Sequence, residues 1–256
     1  GVDNLTSFRG GWFGGRGRCG SEGSLRAVAF GAPEFDLPLK DLLSMEVTSV
    51  SKAVQRLREV AAAVHVITKR DIRNSGAQHL PDLLRNVPGL HVAQIDARQW
   101  AISARGFNGV RANKLLVLLD GRSIYTPLYG GVFWDAQDTS LDDIERIEVI
   151  RGPGGSIWGA NAVNGVVNII TSKASTTQGT TLQLALGDEL ESLFSARHGG
   201  QIDSDTHYRL YTKSRTQDDS VLVAGGVARD GGEFKQAGFR VDHAPVLGDE
   251  WTLQGD

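Results

Sequence analysis

The glycines among residues 152–159 have a spacing that could form a phosphate-binding loop, so they are considered first as a candidate site. Gly152, Gly154 and Gly155 follow an apolar run, which is where a phosphate-binding loop would stand. No Gly-Lys-Ser/Thr follows them, and Gly152, Gly154 and Gly159 do not fit the G-x-G-x-x-G dinucleotide spacing. The segment therefore predicts a tight backbone turn, with a turn-fixing proline at Pro153, rather than a nucleotide site.

Metal-ligating and nucleophilic residues show no catalytic pattern. The six histidines lack H-x₃-H and H-E-x-x-H spacing, so we expect no protein-built metal site. They are His65, His79, His91, His198, His207 and His243. The single Cys19 excludes an internal disulfide, and no Ser/His/Asp motif is visible. We expect no enzyme and no cofactor, although a soluble enzyme with a glycine-rich loop is an alternative.

One group of carboxylates is interpreted as a solvated face. Its members are Asp142, Asp143, Glu145 and Glu148.

Composition bounds the class of protein. The 256 residues carry a net charge of −3, so no global basic field recommends nucleic acid as a partner. Apolar residues make up 40% and charged residues 22%, which is typical of a folded chain of one or two domains. No window approaches the ~18 consecutive apolar residues of a membrane-spanning helix. Because the chain starts at Gly1 without a methionine and stops at Asp256 inside a strand-like pattern, we expect a fragment. We expect residues 1–45 to form a disordered leader, and a translation artefact is the alternative.

The middle of the chain predicts a small α+β domain over residues 46–172. Val64–Ile67 suggests a strand, and Thr68–Asp71 has the form of a capping box that opens a short helix. A second helix carries Pro81 in its first turn. The continuous apolar run 115–119 predicts a strand buried on both faces.

Residues 173–256 instead alternate apolar and polar side chains with a period of two. Leu182, Leu184 and Leu186 show this pattern, and it recurs around Leu210, around Phe239 and at Trp251. The pattern suits roughly four strands of a transmembrane β-barrel between lipid and a wet lumen, and a soluble antiparallel sheet equally well. We expect an open sheet with unpaired edges, because a large barrel needs many more strands.

Five ordered stretches between residues 62 and 171 carry a family resemblance. They read AAVHVITKRDIRNSGA, LPDLLRNVPGLHV, SARGFNG, LLVLLDGRSIYTP and IEVIRGPGGSIWGANAVNGVVNIIT. The chain resembles TonB-dependent outer-membrane receptors, and is most similar to the iron-complex and cobalamin type. This implies a plug domain followed by the antiparallel strands of an incomplete transmembrane β-barrel.

The resemblance implies energy coupling through TonB, which pairs with a short box as an added strand. The extended, β-branched segment before the plug is the expected box. It comprises Glu46, Val47, Thr48, Ser49 and Val50. An ordinary linker strand is the alternative interpretation.

Two Arg-Gly motifs match the family pattern that holds the plug to acidic residues of the barrel wall. They are Arg105-Gly106 and Arg151-Gly152. A guanidinium suits this task because it stays charged and donates bidentate hydrogen bonds. Glu145 and Glu148 are candidate local partners, with the barrel carboxylates expected beyond the last residue. Two surface arginines are the alternative.

Substrate in this family meets outward plug loops, and aromatic groups amid polar ones would suit a bulky chelate. The candidates are Gln99, Trp100, Phe107, Asn108, Tyr125, Tyr129, Phe133 and Trp134. Aromatic packing of plug against barrel is the alternative for each of them.

The resemblance therefore predicts energy-coupled uptake of a scarce metal chelate, of siderophore-iron or cobalamin type, in the outer membrane of a Gram-negative-type bacterium. TonB, the chelate and outer-membrane lipid are the expected partners. A plug module that senses or binds ligand without transport is the alternative.

Overall fold

The computed structural model describes most of the chain from residue 63 onward and two short segments before it. The described residues are 46–47, 55–56, 63–106, 108–110, 113–126, 128, 130–152 and 154–256. They belong to the unit Pro33–Asp256. The predicted leader 1–45, Thr48 to Val50 of the predicted box, Phe107 and Tyr129 lie outside the described residues.

A mixed sheet forms the centre of the first domain. The elements up to residue 171 are β1 (Glu46–Val47), β2 (Gln55–Arg56), β3 (Ala63–Thr68), α1 (Lys69–Asn74), α2 (Leu80–Leu84), β4 (Leu90–Gln94), β5 (Trp100–Ala104), β6 (Leu115–Leu119), β7 (Arg122–Ser123), β8 (Ile144–Arg151), α3 (Gly155–Trp158) and β9 (Gly165–Thr171). The central sheet has the order β3-β8-β9-β6-β7, in which only β6 and β9 run parallel. Two antiparallel pairs, β1-β2 and β4-β5, accompany it.

The short helices begin where the sequence predicts. The Thr68 hydroxyl accepts a hydrogen bond from the Asp71 amide at 3.2 Å, and Asp71 Oδ2 accepts one from the Thr68 amide at 2.9 Å, which completes the capping box. Pro81 lies in the first turn of α2. No helix in the described part of the chain has the length and apolar composition needed to cross a membrane.

The central sheet is buried on both faces, as the apolar run 115–119 predicts. Leu115, Val117 and Leu119 of β6 pack into the main core with the helices. Leu116 and Leu118 point to the opposite face, into a smaller cluster. β6 therefore contributes side chains to both cores.

A second sheet follows, with five antiparallel strands in chain order. They are β10 (Gly179–Leu186), β11 (Ser192–Asp203), β12 (Thr206–Gln217), β13 (Gly232–His243) and β14 (Trp251–Gly255). β10 and β14 each pair on one side only, so the sheet is open, as predicted. The prediction of roughly four strands missed β11, in which Gly199 and Gly200 interrupt the alternation of side chains. The plug-like sheet ends at Thr171 and the new sheet starts at Gly179, and the predicted boundary at 172/173 stays a prediction.

The two faces of the second sheet differ in polarity. The outer face exposes a row of large apolar side chains: Leu182, Leu184, Leu186, Phe194, Leu210, Phe239, Trp251 and Leu253. The inner face is polar and buried, with Arg209, Lys213, Arg215 and Asp242 each 5–7% exposed. This face packs against the first domain through ion pairs, so its polar residues do not face an open lumen.

Candidate functional site

A cavity of about 770 Å³ opens between the end of β4, the start of β5 and the loop that follows β7. Its lining residues are Arg98, Gln99, Trp100, Val110, Gly131, Val132, Phe133, Trp134 and Asp135. The volume lies in the range of small-molecule sites, and the lining combines aromatic faces with a cation, an anion and an amide. Four of the predicted substrate-facing residues meet here.

Those four residues take different positions around the cavity. Gln99 is exposed, and Phe133 is 41% exposed. Trp100 and Trp134 are 5% and 7% exposed and belong to the main core. The Arg85 guanidinium lies over the Trp100 ring, 5.0 Å from a ring centroid, and the His79 ring centroid is 6.1 Å from that of Trp100. The tryptophans therefore form the floor, whereas Gln99 and Phe133 offer surface to a ligand.

The other two candidates within the described residues, Asn108 and Tyr125, are not among the lining residues. Asn108 is exposed and its side-chain amide bonds to the His91 ring, while Tyr125 is half-buried. Arg98 and Asp135 line the cavity but were not predicted. Each is adjacent in sequence to a predicted residue, and this adjacency could have identified both of them.

An aspartate from the loop between β12 and β13 anchors the cavity loop. Asp230 accepts hydrogen bonds from the Ala97 amide at 2.9 Å and the Ser220 amide at 2.7 Å. These backbone hydrogen bonds lower the pKa of Asp230 to about 2, because they favour the ionised carboxylate. The loop between β12 and β13 is thereby tied to the rim of the cavity.

The two Arg-Gly motifs lie side by side. Arg151 donates from Nη1 to the Pro88 carbonyl at 2.7 Å and lies over Gly89. The Arg105 guanidinium lies beside Gly152, where a Cβ would be 3.7 Å from Nη2. Arg105 is exposed and makes no ion pair within the described residues.

The suggested local partners of these arginines are engaged elsewhere. Glu145 and Glu148 both pair with Arg146, at 2.9 and 2.8 Å. Glu148 is fully buried and Asp143 is 2% exposed, so the prediction of a solvated carboxylate face is wrong for these two. A carboxylate can be buried when an arginine pairs with it: Arg146 of the same strand pairs with Glu148, and Arg197 of a distant strand pairs with Asp143.

Asp143 is the first of two carboxylates that each hold two cations of the second sheet. It lies in the short turn Leu141–Asp143 before β8 and pairs with Arg197 of β11. Arg209 Nε of β12 lies 3.6 Å from Asp143 Oδ2. A single buried carboxylate thus joins two neighbouring strands to the first domain.

Asp138 repeats the arrangement nearer the cavity. Lys213 Nζ lies 2.8 Å from Asp138 Oδ1, and Arg215 Nε lies 3.6 Å from Oδ2. Arg215 also donates to the His79 ring at 2.7 Å and packs over Phe234 at 4.6 Å. Arg209, Lys213 and Arg215 are separated by even numbers of residues, so they lie on one face of β12. This spacing is visible in the sequence and could have predicted a row of cations.

Arg240 of β13 forms the third tie. Its Nε lies 2.9 Å from Asp242, and its Nη1 donates to the Thr171 hydroxyl at 2.8 Å and approaches Asp120 at 3.4 Å. Asp242 also accepts a hydrogen bond from the Ala174 amide at 2.6 Å. The segment that links the two sheets is therefore held to the second sheet.

The predicted TonB box is described only at its first two residues. Glu46 and Val47 pair antiparallel with Arg56 and Gln55, and Val47 is 1% exposed. The other edge of β1 carries no strand within the described residues.

His79 is the group of this interface that could titrate in a mild pH range. Burial, with Arg215 next in effect, lowers the pKa of His79 to about 4 from 6.5. Asp82 and Asp138 act in the opposite direction, and Lys213 acts with Arg215. The ring is therefore neutral at pH 7, which lets it accept the hydrogen bond from Arg215.

We predict that stability falls as the pH drops from 6.5 towards 4. In this window the unfolded chain binds the His79 proton and the folded chain does not, so the free energy of unfolding rises with pH. The His79→Gln variant should lose this part of the pH dependence in urea unfolding followed between pH 7 and 4. The exposed His91→Gln variant is the control and should behave as the parent chain. An unchanged pH slope in His79→Gln would contradict the assignment.

No set of three or more His, Cys, Asp or Glu side chains is placed to hold a metal ion within the described residues.

Comparisons with known proteins find similarity over part of the chain. Residues 56–166 match the TonB-dependent Receptor Plug Domain family. The chain is 36% identical over 147 residues to the vitamin B12 transporter BtuB of Vibrio vulnificus, which covers 57% of this chain and 23% of the relative. The corresponding Vibrio cholerae transporter is 34% identical over 141 residues, with 55% and 23% covered. The chain thus spans about a quarter of the length of these relatives.

Solved structures support the fold over a larger part of the chain. The pyoverdine outer membrane receptor FpvA of Pseudomonas aeruginosa superposes with a TM-score of 0.63 at 17% identity, covering 82% of this chain and 29% of that one. The ferric-catecholate import receptor Fiu of E. coli gives 0.62 at 23% identity, covering 81% and 28%. These proteins are transporters and receptors rather than enzymes. The chain thus has a plug domain, matched over residues 56–166 to that of TonB-dependent receptors, followed by an open sheet of antiparallel strands.

Proposed function

We propose that this chain is part of an outer-membrane receptor that takes up a scarce metal chelate with energy supplied through TonB. The observation that carries the proposal is the 770 Å³ cavity at the plug surface, lined by aromatic and polar side chains. The family assignment supports it, since the relatives named above carry vitamin B12, pyoverdine or ferric catecholates. The nature of the cargo, a metal chelate, is part of this proposal.

The polarity of the second sheet supports a place in the membrane. Its outer face exposes leucines, phenylalanines and a tryptophan, and its inner face is charged and covered by the plug. A strand that separates lipid from a protein-filled interior needs this alternation. We infer that β10 to β14 face outer-membrane lipid, in a Gram-negative-type cell.

Ligand capture is assigned to the rim of the cavity. Phe133 offers an aromatic face, and Gln99 and Arg98 offer hydrogen bonds beside it. The hydrogen bonds of Asp230 hold the adjacent loop, so the rim is pre-formed and little ordering is needed on binding.

Coupling to TonB is assigned to residues 46–50. β1 is already extended and paired on one edge, and the remaining edge can accept another strand. Arg105 is exposed and unpaired within the described residues, which suits the proposed anchoring of the plug to carboxylates of a barrel wall.

Phe133→Ala should weaken ligand binding about tenfold, because truncating a partly exposed aromatic contact removes roughly 1–2 kcal/mol of binding free energy. Vitamin B12, ferric enterobactin and pyoverdine are the probes, titrated against the receptor in detergent by isothermal calorimetry.

The matched control is Phe194→Ala, since Phe194 has nearly the same exposed fraction, 43% against 41%, but lies on the outer face of the second sheet. It should bind as the parent chain does. Equal losses in both variants would remove the cavity as the capture site, and binding of none of the probes would count against this substrate class.

Val47→Pro should abolish energised uptake while leaving ligand binding intact, because proline removes the backbone N–H and restricts an extended strand. The measurement is uptake of the bound probe by cells with and without a proton-motive force. Val47→Ala keeps the backbone donor and should retain uptake. If Val47→Pro transports normally, the box does not include this position.

A further inference from the structure

The inner face of the second sheet carries a row of four cations. Arg209, Lys213 and Arg215 lie on one face of β12 because their spacing is even, and Arg197 of β11 points the same way. Arg209 to Arg215 is six residues, which corresponds to about 20 Å along a strand. The row therefore runs along the wall that faces the plug, from the linker between the sheets towards the cavity.

Two plug carboxylates serve all four cations. Asp138 pairs with Lys213 and Arg215, and Asp143 pairs with Arg197 and Arg209. Each carboxylate is therefore shared between two cations, one on each of its oxygen atoms.

The row also contains unused hydrogen-bond donors. The Nε groups of Arg197, Arg209 and Arg215 are buried without a hydrogen-bond partner in the described part of the chain. Arg209 and Arg215 are each 5% exposed. Their Nε atoms lie 3.6 Å from carboxylate oxygens, which is longer than a hydrogen bond. One of these oxygens, Asp143 Oδ2, also has no hydrogen-bond partner within the described residues.

An unpaired buried donor on a charged group is costly, so such a row favours any anionic group that can reach it. A plug aspartate satisfies one cation well and the second poorly. An anion with several oxygen atoms could bridge both cations with charge-assisted hydrogen bonds.

We propose that this row, Arg197, Arg209, Lys213 and Arg215, is an anion-binding track, which Asp138 and Asp143 occupy in the resting receptor and along which an anionic metal chelate passes. The inference rests on the proposed transport function and names the charge class of its cargo. A carboxylate or phosphate oxygen of the cargo replaces the aspartate at each pair of cations. The same exchange loosens the plug from the wall, because those ion pairs hold it there.

A purely structural role predicts a different response to mutation. If the aspartates only hold the plug, neutralising one of them lowers stability and creates no new binding. If they occupy an anion track, neutralising one leaves two cations that bind an external anion more tightly.

The test uses two inert octahedral ions of opposite charge as probes, hexacyanocobaltate(III) and hexaamminecobalt(III). They are titrated by calorimetry into the full chain in detergent micelles, with far-UV circular dichroism as the folding check. Asp138→Asn and Asp143→Asn should each bind the trianion about tenfold more tightly than the parent chain, with no gain for the trication. Adding Lys213→Gln to Asp138→Asn should reverse the gain.

The control is Asp142→Asn, which removes the same charge one residue from Asp143 at an exposed position. It should change trianion affinity much less than Asp138→Asn or Asp143→Asn, because Asp142 has only a minor electrostatic effect on Lys213. Equal affinity in Asp138→Asn, Asp143→Asn and this control would overturn the proposal, as would an equal gain for the trication.

If the aspartate variants do not fold, Lys213→Gln in the otherwise unchanged chain carries the test. It should weaken trianion binding, and unchanged binding would overturn the proposal. Because the probes are not transport substrates, a negative result leaves the uptake and ligand-binding tests above unaffected, and failure of those tests leaves this one readable.

Discussion

The seating of the plug depends on buried ion pairs that run from the wall to the plug. Asp143 and Asp138 each hold two cations from β11 and β12, and Asp120 approaches Arg240 of β13. Placing so many charges out of water is costly, and it is tolerated only because each has a partner of opposite sign. The second sheet can therefore keep a charged inner face and an apolar outer face in the same five strands.

This constraint also explains where the two parts of the molecule are fixed. The ties from Asp120, Asp138 and Asp143 hold the later part of the plug. The earlier part contacts the second sheet and its loops through hydrogen bonds of the His79 ring and the Ala97 amide. These two plug groups are uncharged, so the contacts are not ion pairs. A plug held mostly by exchangeable ion pairs can be released by competing charges, whereas an apolar interface of the same area would need to expose its core to water.

Much of the fold was predictable from local sequence. The capping box at Thr68 and the two-sided burial of residues 115–119 follow from patterns within a few residues, and the structure confirms both. β11 was missed because Gly200, whose Cβ would lie 2.5 Å from the Tyr208 ring, replaces an apolar side chain on the outer face. The need for glycine at this position is set by Tyr208 on the neighbouring strand, so it cannot be recognised from the sequence of β11 alone.

The site was predictable in outline only. Three of the aromatic candidates line one cavity, but the sequence could not distinguish Trp100 and Trp134 in its floor from the partly exposed Phe133. Asp143 belonged to a run of acids and was read as solvated. Its burial depends on Arg197, 54 residues later in the chain. Contacts between distant segments decide which charges are buried, and single-sequence patterns do not carry that information.

The central claim is that the ion pairs from the wall seat the plug. A double-mutant cycle on Asp143→Asn and Arg197→Gln, read as free energy of unfolding in urea, measures it most directly. The account predicts a coupling energy of about 1–3 kcal/mol between these residues, because both lie in one buried network. The same cycle on exposed Asp142 and Arg197 should give a coupling near zero. A coupling near zero for Asp143 and Arg197 would contradict the account.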